Sequence, residues 1–507
     1  MLKKLCQCIG LASILLVMNY GDLLGGGYDA RMHVPFALGG IVYAQLTDIL
    51  LLGLLLFAIL APLSRTRLYP WLRLLIGIIV PPTILERLSP VFPFPLSFSL
   101  LLLFAVVWAG ILLVLFFRLT RGYRILVRIG DFLGIFLAVF ALCTVTQLLY
   151  VLHWKPGPQQ HTAPWATTPQ PPRQHPLLVW VVFDELSYDQ LFEHRSPTLA
   201  LPNFDALRSQ STVFADAQPI GEKTVQVIPS LLTGHIVDAL NFTMDNRLLV
   251  HNAGTSGLHR LLPSQTIFAD AQQQGWRTAA VGWYNPYCTL YAATIDDCYW
   301  TNLDKLDGPM AEQLTFWQNT WSPLRQAALE LIHPTRARLD LCTYDVRRRY
   351  LTYLDLEQHT QQLLHTDQAD FIFLHLPIPH SPNIWSRATN AYTQQCGSSY
   401  LDNLALADRE LGNILTTLES SPRWKDTTLI VEGDHSWRTY LWNNQPAWTG
   451  EDDTASHSEP NSDFDPRPAV ILHQPSQTQP QRITTAWTLL NVHAVVEQVL
   501  HGQPLHF

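Results

Sequence analysis

The pattern of apolar and polar positions changes once along this chain, and sharply. Up to residue 152 it is a series of long apolar runs with few charges between them. After Pro156 apolar and polar residues mix in ordinary soluble proportions. Three of the early runs, 37–63, 96–117 and 129–152, are each long enough to cross a hydrocarbon core that needs roughly 20 residues. Two more, 5–20 and 71–88, are weaker: the first is short, and the second carries Arg73 and is interrupted by Pro81 and Pro82. The run at 5–20 follows Lys3 and Lys4 as a signal peptide would, but no small-residue cleavage site comes cleanly after it. The pattern predicts five spans in a helical transmembrane module over residues 1–153.

The basic residues give that module an orientation. With five spans the inside stretches hold Lys3 and Lys4, then Arg65 and Arg67, then Arg118, Arg121, Arg124 and Arg128. The outside loops, 21–36 and 89–95, hold only Arg31. Positive charge is retained on the cytoplasmic side, so everything after residue 152 is expected on the non-cytoplasmic face of a cell membrane, inner or plasma. Residues 154–176, rich in Pro and Gln and without apolar periodicity, read as an extended, semi-rigid linker.

From 177 to 507 the chain is the size of one large domain, and strand-like runs alternate with helical patterns. "LLVWVVF" (177–183) has the length and β-branched content of a strand buried on both faces. "ADFIFLHLPIPH", "TTLIVEGDH" and "RPAVILHQP" are further strands, and "YLDNLALADRELGNILTTLESS" is a long amphipathic helix. Such alternation predicts an α/β domain with a mostly parallel central sheet. Residues 304–367 break the alternation and read as a mainly helical insertion.

Candidate chemistry sits at the strand ends. Three strands finish in groups that bind metals or move protons: Asp184–Glu185, His380, and Asp434–His435. A carboxylate there could simply cap the next helix. Three such endings together favour a site, because ligands collect at the carboxyl edge of open α/β sheets. Carboxylates with imidazole suit zinc or manganese. The net charge of −8 and the absence of a basic stripe in the second half argue against a nucleic-acid partner. Cys6, Cys8 and Cys143 fall in the membrane segments, which leaves Cys288, Cys298, Cys342 and Cys396 in the external domain. An even number there suits two bridges, with Cys288–Cys298 the short-range pair.

The order of a strand ending in Asp, "PNFDAL", a hydroxyl residue followed by "PSLLTGH", then "HLPIPH" and "DTTLIVEGDH" resembles the alkaline phosphatase/sulfatase superfamily over most of 177–507. With a five-span module ahead of it, the layout resembles membrane-anchored phosphoethanolamine transferases and lipoteichoic-acid (phosphoglycerol) synthases. The superfamily places its nucleophile ten residues before the Gly of "LLTG", which here is Thr224. Sulfatases carry there a Cys or Ser that is oxidised to an aldehyde, with an Arg four residues on. A threonine cannot give that aldehyde, and Ile228 stands at the Arg position.

The resemblance therefore implies a phosphothreonine intermediate in transfer of a phospholipid headgroup to an envelope glycan or lipid acceptor. Three alternatives stand beside it: a phosphodiesterase or phosphatase, a sulfuric ester hydrolase, and an inert membrane scaffold. Asp184, Thr224, Asp434 and His435 would hold a single Zn or Mn ion, with Glu185 competing for the first-strand position. His380 would protonate the leaving group or bind phosphate. His457 and Lys223 are further substrate-binding candidates, each with a solvated surface role as its plainer explanation. Ser436 and Trp437 stand where the superfamily usually has Gly after its Asp–His pair, so the acceptor side departs from the pattern.

Overall fold

The computed structural model of the chain describes residues 1–16, 33–88, 98–162, 175–243, 246–303, 315–456 and 464–507. The chain divides into two compact units. The first is helical: α1 (Leu2–Leu15), α2 (Gly39–Leu63), α3 (Tyr69–Leu88), α4 (Phe98–Phe117) and α5 (Thr120–Val151). Among the described residues α2, α4 and α5 are long and apolar enough to cross a membrane. α4 carries no charge and exposes Leu100, Leu103, Val106 and Phe117, a surface matched to hydrocarbon and not to water.

Two of the five expected spans fall short of that length and composition. α1 has only 14 residues, and α3 contains Pro81 and Pro82. α1 packs on both α2 and α5. Gly10 and Gly53 make this possible, since a Cβ on either would collide with the backbone of Leu137 or Ile9. Arg73 of α3, which weakened that segment as a span, is paired with Asp131 of α5. A charge with a partner of its own is tolerable in an apolar setting.

The second unit is built on a nine-stranded sheet. Its strands are β1 (Gln160–His161), β2 (Leu178–Phe183), β3 (Thr212–Phe214), β4 (Thr278–Trp283), β5 (Asp297–Thr301), β6 (Phe371–Leu376), β7 (Thr428–Gly433), β8 (Val470–His473) and β9 (Gln481–Ile483). The order across the sheet is β1-β5-β4-β6-β2-β7-β8-β3-β9. β5, β4, β6, β2 and β7 are parallel neighbours. β8 runs antiparallel to both β7 and β3, and β1 antiparallel to β5. The sheet is therefore mixed, and parallel pairing is concentrated at its centre.

Every residue of β2 is buried, which is why its sequence is a continuous apolar run and not an alternation. Its two sets of side chains enter two different cores. Val179, Val181 and Phe183 pack with α6 (Pro202–Arg208) and α10 (Tyr400–Ser420). Leu178, Trp180 and Val182 pack with α7 (Thr224–Thr233) and α11 (Asn491–Leu500). α6 is the "PNFDALR" segment: Pro202 fills its first turn, and the Asp408 carboxylate accepts from the backbone N–H groups of Asn203 and Phe204 at 2.9 and 2.8 Å. The disulfides are Cys288–Cys298, the pair expected from spacing, and Cys342–Cys396.

The expected insertion is helical where it is described, and it is shared between the two units. α8 (Phe316–Ile332) groups with the N-terminal helices, while α9 (Pro334–Thr366) runs on into the α/β unit and supplies Val346, Tyr353 and Leu356 to its core.

Candidate active site

The register of three parallel strands builds the site. Phe183 of β2 lies level with Leu376 of β6 on one side and with Gly433 of β7 on the other. The next residues of β2 and β7 are Asp184 and Asp434, so two carboxylates arrive side by side at one sheet edge. Side chains alternate between the faces of a strand. Asp184 therefore shares the face of Val182 and Trp180, the face on which α7 packs. His375, level with Val182, belongs to the same face.

Thr224 is the first residue of α7, and Lys223 before it has extended backbone angles. Thr224 Oγ1 donates to Asp184 Oδ2 at 3.0 Å and lies 3.4 Å from His435 Nε2. His435 Nδ1 lies 3.1 Å from the Ser436 carbonyl, which fixes the proton on Nδ1 and leaves the Nε2 lone pair aimed at the centre. Nε2 is 3.2 Å from Asp434 Oδ2 and 3.7 Å from Asp184 Oδ1. Asp184, Asp434 and His435 are all buried, and their ligand atoms fall within 4.8 Å of one another.

Two buried carboxylates this close repel each other unless a proton or a cation lies between them. Burial opposes ionisation of Asp184, yet His380, His375 and His435 together hold it well below the usual carboxylate range. Burial and then the neighbouring Asp184 push Asp434 up. Asp184 Oδ1 and Asp434 Oδ2 find no hydrogen-bond donor among the described residues. Orphaned carboxylate oxygens facing an imidazole lone pair are a donor set for a divalent ion, and the residues present fit one.

Glu185 turns elsewhere. Its backbone is left-handed, with φ 65°, and this sends its N–H to Asp434 Oδ1 at 3.2 Å. Its carboxylate accepts from Arg438 Nε at 2.8 Å and from Trp442 Nε1 at 2.9 Å. It thus pairs with a guanidinium and stands outside the group of Asp184, Asp434 and His435. Gly433 helps the chain through this corner, since a Cβ there would lie 2.6 Å from the Leu186 carbonyl oxygen.

His380 follows β6 through the segment Pro377–Pro379, and its backbone N–H donates to the Asp184 carbonyl at 3.1 Å. Its ring lies against Trp283 and Trp442, with centroids 5.3 and 5.1 Å away. Burial lowers its pKa to about 3; Asp184 opposes this, while Arg349 and Arg438 reinforce it. Burial therefore disfavours the charged imidazolium at this position. Lys223 is exposed. His457 lies outside the described residues.

Three site residues escaped the sequence reading. His375 Nδ1 is 2.8 Å from the Tyr287 hydroxyl, and its Nε2 is 3.9 Å from Asp184 Oδ2. Arg438 is almost fully buried; Nη1 donates to the Glu222 carbonyl at 2.7 Å, Nε is taken by Glu185, and no partner holds Nη2 among the described residues. Trp442, with Tyr400, Trp437 and Trp448, lines a recess that also includes Ser381, directly after His380.

The Sulfatase family model matches residues 176–483, which is more than half of the chain. The chain belongs to the Sulfatase family. No curated protein matches it over its sequence. Solved structures similar to this Sulfatase-family chain include the PsFucS1 sulfatase from Pseudoalteromonas sp., at 12% identity and TM-score 0.41, covering 65% of this chain and 69% of that one. The phosphonate monoester hydrolase of Agrobacterium radiobacter is similar at 12% identity and TM-score 0.39, with 64% and 74% covered. The lipoteichoic acid synthase LtaP from Listeria monocytogenes is similar at 15% identity and TM-score 0.39, with 65% and 72% covered. The family assignment rests on the family match alone.

Proposed function

We propose that this chain is a membrane-bound, metal-dependent phosphotransferase that takes a headgroup from a phospholipid donor through a phosphothreonine intermediate. The observation that carries the reading is Thr224 itself. A secondary alcohol, unable to become the aldehyde that sulfatases use, stands at the head of α7 within 3.0 Å of Asp184 and 3.4 Å of His435. Asp184, Asp434, His435 and Thr224 would hold one divalent ion, zinc or manganese. When bound, that ion favours the alkoxide of the hydroxyl and offsets charge on the phosphoryl oxygens.

The chain's own residues account for the rest. The Thr224 oxygen attacks phosphorus as the bond from phosphorus to the diacylglycerol oxygen breaks, and the hydroxyl proton, held towards Asp184 before the attack, passes to the departing diacylglycerol oxygen. Arg438 Nη2 is placed to hold a phosphoryl oxygen. In the second half-reaction the acceptor hydroxyl attacks phosphorus, the bond from phosphorus to the Thr224 oxygen breaks, and the acceptor's proton passes by way of His380 to Thr224. An envelope glycan or lipid alcohol is the acceptor on this reading.

α2, α4 and α5 and the arginine distribution support the membrane placement, and on this reading the α/β unit lies on the non-cytoplasmic side of a multi-pass protein. A reporter fused after Phe507 is expected to be active only outside the cytoplasm, and cytoplasmic activity would reverse the orientation. The test of function is the intact mass of the full chain after incubation with mixed phospholipid vesicles. A mass increase equal to a headgroup phosphate, mapped to Thr224, is the expected result. Turnover of soluble sulfate or phosphate esters, with no adduct from any phospholipid, would make the chain a hydrolase of the same family.

A further inference from the structure

α8 is amphipathic the wrong way round for a helix in water. Trp317, Trp321 and Ile332 are 63%, 62% and 68% exposed, and Phe316 is exposed beside them. With the exposed Ala328, the positions 317, 321, 328 and 332 follow one side of the helix at its natural repeat. Three of its polar residues go inward: Asn319, Thr320 and Gln326 are buried, and Gln326 Nε2 donates to the Ala337 carbonyl at 3.1 Å, while Gln318 and Arg325 are exposed. Exposed tryptophans over a polar buried side carry a cost in water, since burying such rings stabilises by roughly 25 cal/mol for each Å² covered.

The surroundings say what covers that stripe. α8 packs on α2, one of the helices long and apolar enough to cross a membrane. The buried positions of α2 run from Ile41 to Gly53, in the half of the helix that follows Gly39. Arg325, Arg336 and Arg338 are exposed along α8 and just after it. Tryptophan belts beside a span, flanked by arginine, are the composition that sits at the level of lipid headgroups.

We propose that α8 lies in the interfacial layer of a bilayer containing anionic phospholipid, its tryptophan stripe turned to the acyl chains and its arginines to the phosphates. The proposal rests on the membrane reading given above. It makes α8 a second lipid-contacting element, supplied from within the catalytic half of the sequence: the chain leaves the sheet after β5 and returns to the α/β unit in α9.

The test uses the full chain in vesicles of phosphatidylcholine and phosphatidylglycerol, with Cys6→Ala, Cys8→Ala and Cys143→Ala removing the free thiols. Trp321→Cys and, separately, Val106→Cys in α4 carry a small thiol-reactive fluorophore. Lipids bearing a nitroxide near the headgroup or deep in the acyl chain then quench it. The Trp321→Cys probe is expected to be quenched about twofold more by the shallow nitroxide than by the deep one, with the Val106→Cys probe showing the reverse order. A Trp321→Cys probe reached by aqueous iodide and by neither nitroxide overturns the proposal, while a deep Val106→Cys probe still upholds the membrane reading. A probe shielded from iodide and from both nitroxides, with crosslinks between chains, gives the stripe to a second copy and overturns it as well. Should neither position meet a nitroxide, the membrane reading falls and takes this proposal with it.

Discussion

Thr224→Ala is expected to abolish turnover, by at least ~10³-fold, while leaving the fold and most metal binding intact. The hydroxyl is one small group at the start of α7, and the helix is anchored elsewhere by Val227, Ile228 and Leu231 in the core. Asp184, Asp434 and His435 remain as ligands, so losing one hydroxyl weakens the metal site without emptying it. Chemistry has no such reserve. Ser230 and Thr233 are the other hydroxyls of α7, and they are committed to the Gln226 and Pro229 carbonyls at 2.6 and 2.7 Å. Asp434→Ala should behave differently and lose metal and activity together, because it removes a charge from a site that depends on carboxylates. Bound metal by elemental analysis, headgroup release from phospholipid and thermal unfolding separate the two variants. Wild-type activity in Thr224→Ala would end the nucleophile assignment and the transferase reading with it.

The parts of this site that were legible in the sequence are those that register alone determines. A buried apolar run that ends in an acid has nowhere to put the charge except the sheet edge, so Asp184 and Asp434–His435 could be placed without coordinates. The choice between Asp184 and Glu185 could not, because it turns on one left-handed backbone angle that sends Glu185 to Arg438. His375 was hidden for a related reason. In a strand buried on both faces apolar residues fill both parities, so the face of His375 cannot be read from the pattern, and only its pairing with Val182 reveals it. The direction of β8 was equally illegible: "AVILH" reads as a strand whichever way it runs, and the structure sets it antiparallel to β7. Within the segment 304–367 the described part, from 315 on, was legible as helical, but composition does not say which unit an inserted helix joins. α8 joined the unit with α2 through its polar side, the reverse of what a soluble amphipathic helix would do.

Arg438 carries the second large effect. It lies where the superfamily pattern departs from expectation, three residues after His435. Burial disfavours its charge, but Glu185, Asp184 and Asp434 hold the guanidinium protonated. With Nε on Glu185 and Nη1 on the Glu222 carbonyl, its planar fork is fixed before substrate arrives. A donor held in this way acts most strongly on charge that develops in the transition state, and removing one typically costs about 10²–10³ in kcat. Arg438→Met alone confounds two effects, since it also strands the buried Glu185 carboxylate, a loss of roughly 3–5 kcal/mol for a broken buried pair. The double variant Arg438→Met/Glu185→Gln removes both charges and should unfold at nearly the wild-type temperature. Its kcat is expected to fall by about 10²-fold with metal content unchanged, whereas Glu185→Gln alone should keep most of its kcat. If the double variant kept wild-type kcat, Arg438 would be a partner for Glu185 and nothing more, and the phosphoryl oxygens would have to be held by the metal site and the head of α7.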